Sequence, residues 1–511
     1  MFQTRHYTIA FIFIMCFYFA PRCVTAQTRA KANTVTNFDK DGKQVTRFST
    51  VGDAIDAHDG EIALFNGVYY LYGTSYDCGF EWGNKNAPFC GFKSYSSTDM
   101  VNWTDRGFLF DAQTQVWQTR CNGNTYGCFR PHVIFNEKTD LYVLWINVYD
   151  NVSGYRVFTG KSPVGPFTEV AEPKLAVNSN APAAGLNNGD HDTFVDDDGT
   201  AYLAYTDWRT QGSIIIEKLS ADYLTGTGEV SKNITTGSTE APGMFKRNGI
   251  YYVVYSDPNC GYCSGTGASY KTASSPLGPW SAGKKISDNS CGGQPSFVST
   301  IKLGSGTVFL FGSDLWNNAA KNEALANYYW APLTFAADGS INPMTCEQAF
   351  KISPSDNKAS VAMADAGFKT HCDISKNVQR SQSFVPVRTG VLTTIELTTF
   401  KTGYPDAELV AAIFKADKTG KAIGEALSTE AIPATAIGWS AKRVAIHPKI
   451  KVTKGAAYCL VIKSAAATGC YGFAFRDTGK PTGVELYSND GGKTFSAEKN
   501  RELKLQIHID K

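Results

Sequence analysis

Glu240-Ala241-Pro242-Gly243-Met244-Phe245-Lys246 runs, across the turn Asn248-Gly249, into Tyr251-Tyr252-Val253. A carboxylate opens a short strand, a turn closes it, and an aromatic strand returns. Four other stretches before residue 335 repeat the strand, turn and aromatic strand, two of them with a carboxylate at the head. They are His58-Asp59-Gly60-Glu61-Ile62 with Asn66-Gly67 and Tyr69-Tyr70-Leu71-Tyr72; Arg130-Pro131-His132-Val133 with Tyr142-Val143-Leu144-Trp145; Asp190-His191-Asp192-Thr193 with Asp198-Gly199 and Ala201-Tyr202-Leu203; and Gln294-Pro295-Ser296-Phe297 with Val308-Phe309-Leu310-Phe311. Between them lie further hairpin signals, such as those leading to Trp103, Phe167 and Trp280. Repeats of this length, each with about four strands, mark propeller blades. A β-sandwich seldom repeats itself, and β-helix repeats are far shorter. No sustained helical period precedes residue 340. The reading predicts a five-bladed β-propeller over residues 27–374, all-β throughout.

Asp59, Asp190 and Glu240 occupy one place in their copies, eight or nine residues ahead of the turn glycine. In a closed ring they meet at one mouth of the channel. Hydrolysis of a glycosidic bond needs a proton donor for the leaving oxygen and a base for the attacking water. A third carboxylate beside the donor raises its pKa and keeps it protonated. Any one of the three, taken alone, reads more simply as a hairpin cap, as Asp196-Asp197-Asp198-Gly199 does. Their shared register is what points to an active site.

Composition narrows the class. A net charge of +2 over 511 residues, with no basic run, argues against nucleic acid. Aromatics at 13% suit β-sheet cores and also stack on sugars. Arg5, the apolar run from Tyr7 to Ala20 and the small residues Val24-Thr25-Ala26 predict a secretory leader over residues 1–26, so the protein is expected outside the cell and not in a membrane. Eleven cysteines follow, and close spacing suggests Cys78 with Cys90, Cys121 with Cys128, Cys346 with Cys372 and Cys459 with Cys470. The trio Cys260, Cys263 and Cys291 leaves one thiol over. Asn102, Asn151 and Asn233 begin glycosylation sequons.

Residues 27 to about 45 carry no strand pattern. Alternating runs from Gly390 to Ile507 predict a β-sandwich over residues 375–511. Within it, Ser488-Asn489-Asp490-Gly491-Gly492-Lys493-Thr494-Phe495 is similar to the turn box of sialidase propellers and is expected to be structural. Trp439 is either a sugar platform or core.

The carboxylate copies resemble glycoside hydrolase family 43. His58-Asp59-Gly60-Glu61-Ile62 looks like that family's general-base segment, with Gly60 where a proline is usual. Asp190 through Asp198-Gly199 resembles its modulator stretch, Asp192 being a second candidate for the tuner. Glu240-Ala241-Pro242 is similar to its general-acid motif. The resemblance covers roughly residues 50–340 and implies a propeller that hydrolyses with inversion, with Asp59 as base, Glu240 as acid and Asp190 as pKa modulator. The exo-β-1,3-galactanase branch has similar segments around Glu240 and Gln294, but a glycine where Asp59 stands and a glutamate near Tyr72-Gly73-Thr74. This chain therefore looks closer to α-L-arabinofuranosidases and β-D-galactofuranosidases, with Gln294 as a hydrogen-bond donor to the sugar. A carbohydrate-binding propeller without turnover is the other alternative.

Further substrate contacts are expected from Arg130 and His132, which face the channel, although His132 can equally pack on its strand. Trp208 and Trp316 follow second strands and reach one rim or the other. Tyr76 and Trp82 sit in a cysteine-closed loop that walls the pocket and favours exo action. The partner is a polysaccharide or oligosaccharide. No cofactor is required, and an axis lined by oxygens has room for a structural calcium.

Overall fold

The computed structural model describes Met1 and residues 33–170, 172–178, 187–259, 265–303, 306–316, 322–353, 358–362 and 367–511. The chain is all-β. Among the described residues, five antiparallel sheets follow one another before residue 335. The first holds Ile62–Phe65, Val68–Thr74, Phe92–Ser97 and Thr104–Phe108; the second Phe129–Asn136, Leu141–Asn147, Tyr155–Gly160 and Thr168–Glu169. The third holds Asn188–Val195, Ala201–Asp207, Ser213–Leu219 and Gly226–Ser231, and the fourth Glu240–Arg247, Ile250–Ser256, Ala268–Ala273 and Lys284–Ser287. Gln294–Leu303, Gly306–Leu315 and Asn327–Pro332 make the fifth. Each repeat seen in the sequence supplies the first two strands of one sheet. Innermost strands of the second to fifth sheets pack together in succession, Phe129–Asn136 packs on Val68–Thr74 of the first, and Gln294–Leu303 of the fifth returns to Ile62–Phe65 of the first. Apolar clusters fill the gaps between sheets: Phe245, Tyr252, Val298 and Phe311 between the fourth and fifth, and Trp145, Tyr155, Leu203 and Ile215 between the second and third.

The segment before the first sheet differs from expectation. Asn33–Thr36 is a strand that pairs with Ala349–Ser353. Only Val35 of its residues is buried, so no alternation betrays it. A short helix, Gln115–Cys121, capped by Thr114, also lies before residue 340. It is too brief to show a helical period.

Beyond residue 367, a seven-stranded and a six-stranded sheet share one core of Leu392, Ile395, Leu397, Leu409, Ile413, Leu460, Ile462 and Phe473. Asp490 closes a hairpin there, accepting from Ser488 Oγ and from the amides of Lys493 and Thr494.

Disulfides join Cys78 to Cys90 and Cys121 to Cys128, as the spacing suggested. The other two pairings differ: Cys291 bonds Cys346, and Cys372 bonds Cys470, leaving Cys459 a buried thiol. Spacing misled because folding brings Cys346 to the fourth sheet's exit and lays the Cys372 strand against the Cys470 strand. Cys260 and Cys263 lie outside the described residues, as does the leader after Met1. Of the sequons, Asn102 and Asn233 are exposed, whereas Asn151 is buried with Nδ2 donating to Tyr155 O at 2.6 Å, which removes it as an acceptor for a glycan.

Candidate active site

Four innermost strands carry the same defect at the same end. Pairing slips by one residue between Phe129 and His132, Asn188 and His191, Glu240 and Gly243, and Pro295 and Phe297. A bulge bends a strand and re-aims its side chains. Asp59, Arg130 and Ala241 take φ values of 54°, 57° and 52° at this level, a left-handed conformation uncommon for side-chain-bearing residues and concentrated at functional sites. Gly60 has a steric reason to be glycine: a Cβ there would stand 2.2 Å from Tyr72 O.

The bulges surround a cavity of about 480 Å³. Asp59, Asp190 and Glu240 line it, from the first, third and fourth sheets, together with Arg130, Gln294, Tyr76, Trp208 and Trp316. Aromatic walls and a few convergent polar groups are the usual make-up of a small-molecule site. Sequence reasoning missed Tyr126, Phe129, Tyr149 and Asn259, which also line it. Tyr126, Tyr149 and Asn259 sit on connecting loops outside the repeat, where no register marks them, and Phe129 opens the innermost strand just ahead of its copy.

Asp59 is buried and fully engaged. Thr74 Oγ1 and the Arg130 amide donate to Oδ1 at 2.8 and 3.0 Å, and Tyr76 OH donates to Oδ2 at 2.8 Å. Burial pushes its carboxyl up to about 6; the Arg130 charge opposes this and Asp314 adds to it. Beneath it, Asp59 N donates to Asp314 Oδ2 at 3.0 Å. His58 stacks on Tyr328 and lies 3.5 and 3.4 Å from Asp56 and Asp314. Burial works against the His58 charge, but the two carboxylates outweigh it and raise its pKa to about 9. Asp56 and Asp314 were not singled out in the sequence; Asp56 lies one strand-period before His58, a weak signal.

Glu240 accepts from Gln294 Nε2, and Gln294 Oε1 in turn accepts from Trp316 Nε1 at 3.1 Å. Burial, then the negative charge of Asp190, hold the Glu240 carboxyl well above the ordinary range, with Arg130 opposing. Arg130 links two of the three acids. Its amide serves Asp59, its Nη2 meets Asp190 Oδ2 at 2.8 Å, and its Nη1 donates to the carbonyls of Pro295 and Ser296. A guanidinium so engaged fixes the Asp190 carboxylate.

His132 corrects the expectation. It is fully buried and does not line the cavity. The bulge turns Arg130 into the pocket, while His132 lies two residues further along the strand, among Asp192 (3.0 Å), Glu61 (3.8 Å) and the His191 ring. Asp192 likewise does not line the cavity: its Oδ2 accepts the Met244 amide, whereas Asp190 does line it. Glu61 Oε1 accepts the Val133 amide, and burial, with Asp192 adding and His132 opposing, lifts Glu61 to about 7. Glu61, His132 and Asp192 bring ligand-type atoms within 4.8 Å of one another and are a group that could hold a metal ion. Trp439 is no open platform; it is half-buried against the loop that bears Tyr76.

Known proteins resemble this chain in sequence and in fold. A β-D-galactofuranosidase of Aspergillus niger is 30% identical over 231 residues, 44% of this chain and 64% of that protein. An arabinoxylan arabinofuranohydrolase of Bacillus subtilis is 28% identical over 269 residues, 44% of this chain and 49% of the relative. The chain thus spans about half to two thirds of the length of these curated relatives. Among solved structures, an exo-β-1,3-galactanase from Clostridium thermocellum shares the fold with a TM-score of 0.54 at 20% identity, over 93% of this chain and 97% of that one. Residues 53–300, a little under half of the chain, match the family model described as glycosyl hydrolases family 43.

Proposed function

We propose that this protein is a secreted, exo-acting, inverting glycoside hydrolase that removes terminal α-L-arabinofuranosyl or β-D-galactofuranosyl residues from polysaccharides or glycans. The observation that carries the reading is the convergence of Asp59, Asp190 and Glu240, from three sheets, on one aromatic-walled cavity. The architecture proposed is a five-bladed propeller over residues 27–374, a sandwich over residues 375–511 and a leader over residues 1–26. Five successive sheets with packed inner strands, and two later sheets sharing a core, support it.

The chemistry follows from the two displaced titrations. Asp59, with a pKa of about 6, is ionised at neutral pH yet basic enough to take a proton from water. Glu240, raised by burial and by Asp190, holds the proton that the leaving oxygen needs. Water attacks the anomeric carbon as the glycosidic bond breaks, Asp59 receives one proton, Glu240 gives one up, and the anomer inverts. Tyr76 and Thr74 orient Asp59, and Gln294 orients Glu240. The aromatic walls stack on the sugar, and no cofactor takes part.

Furanoside preference is supported by the presence of Asp59 and by the names of the curated relatives. Action on β-1,3-galactan ends is the second reading, favoured by Gln294 sitting on the Glu240 carboxylate. Aryl α-L-arabinofuranoside, β-D-galactofuranoside and β-D-galactopyranoside, offered to wild type and Glu240→Gln with the product anomer followed by NMR, separate the readings. Turnover of the pyranoside alone overturns the furanoside assignment. Binding without turnover of any substrate makes the protein a lectin.

A further inference from the structure

We infer that the C-terminal unit holds the catalytic pocket in register, and that Trp439 and Asp77 are positioning residues for the reaction proposed above. The inference rests on that reading. Asp77 adjoins Tyr76, whose hydroxyl bonds Asp59. Its carboxylate accepts the Ser440 amide at 2.6 Å and pairs with Lys442, both from the C-terminal unit. Two residues on, the Trp439 ring lies against the backbone at Gly79, where a Cβ would come within 2.7 Å of it. Trp439 is itself fixed from its own side, under Lys401 Nζ at 4.1 Å and against the Tyr404 ring.

The acid side of the pocket is tied to the same point. Asn322 Nδ2 donates to Trp439 O at 3.1 Å and to Lys401 O at 3.0 Å. Trp316 belongs to one apolar cluster with Tyr76, Phe80, Leu325 and Trp439. From Trp316 the path runs through Gln294 to Glu240. One indole of the C-terminal unit thus backs the residues that orient the base and those that orient the acid. No contact of Trp439 with the cavity is needed; its effect passes through Tyr76 and Trp316.

The test uses the full chain. Trp439→Ala is expected to raise the acidic limb of the kcat/KM pH profile, by at most the shift that Tyr76→Phe gives, about one unit. In the Tyr76→Phe background it is expected to move that limb no further, since both act through one hydrogen bond. Trp439→Phe, which keeps a ring against Gly79, restores the limb. Amide exchange over residues 75–90 speeds up in Trp439→Ala and is unchanged in the third sheet. Asp77→Asn is the milder variant if Trp439→Ala fails to fold, with the same direction expected. An unmoved limb, an equal shift in the Tyr76→Phe background, or exchange that rises everywhere overturns the inference. A wild type inactive on every glycoside refutes the proposed function instead, while the exchange measurement still decides the coupling.

Discussion

Tyr76→Phe removes one hydroxyl and leaves the ring that packs against Trp316 and Phe80. The hydroxyl donates to Asp59 Oδ2 at 2.8 Å and works to hold down a carboxyl that burial lifts to about 6. A hydrogen bond to a charged group is worth about 1.5–3 kcal/mol, and its lower end corresponds to a rise of about one pKa unit, to about 7. At pH 5 the ionised fraction of the base then drops from about one tenth to about one hundredth, so kcat/KM falls about tenfold. At pH 8 both forms are at least about nine-tenths ionised, and kcat/KM changes by only about a tenth. The assay is kcat/KM for an aryl α-L-arabinofuranoside across pH 4 to 9, for wild type and variant. Equal losses at pH 5 and pH 8 refute the reasoning, because they mean that Tyr76 does not set the protonation of Asp59.

Glu240→Gln lowers turnover of glycosides with sugar leaving groups by about 10²- to 10⁴-fold and that of a nitrophenyl glycoside much less, since nitrophenolate leaves without protonation; steady-state rates on both decide it. Asp59→Asn abolishes hydrolysis but stabilises the fold at neutral pH. The sign follows from a folded pKa above the unfolded one: the protonated carboxyl's stabilisation is complete below about pH 4 and is lost as pH rises through about 6. The ionised carboxyl thereby costs about 3 kcal/mol with the Arg130 attraction already counted, so the melting advantage of the variant over wild type grows from pH 4 to pH 8. Trp82 stands 54% exposed at the cavity, and Trp82→Ala raises KM for an oligosaccharide several-fold more than for an aryl monosaccharide, about 1 kcal/mol of stacking on the leaving side.

What the chain discloses by itself is whatever repeats. Period-2 strands, turn glycines and carboxylates in matched positions are local signals, and they were enough to place Asp59, Asp190, Glu240 and Gln294 around one cavity. Non-local features stayed hidden. Arg130 and His132 both read as facing the channel, but a one-residue bulge exchanges inward and outward faces, and Arg130 alone of the two lines the cavity. Cys372 found Cys470 because two strands far apart in sequence pair, which spacing cannot reveal. Tyr149 and Asn259 reach the cavity from loops with no repeated register. Arg130 read as a sugar ligand because its partner Asp190 lies in the next sheet.

The strand Asn33–Thr36 reaches forward to Ala349–Ser353, and Asn37 Nδ2 donates to Glu347 O, 310 residues further on. A chain emerging from its N-terminus must therefore keep this segment waiting, edges bare, until two thirds of its length has been made. Such distant pairing slows folding and exposes unpaired strand to wrong partners. Escort by chaperones during synthesis would matter more for this protein than for one built from neighbouring contacts, and shortening the N-terminal strand would show first as poor yield, before any loss of specific activity.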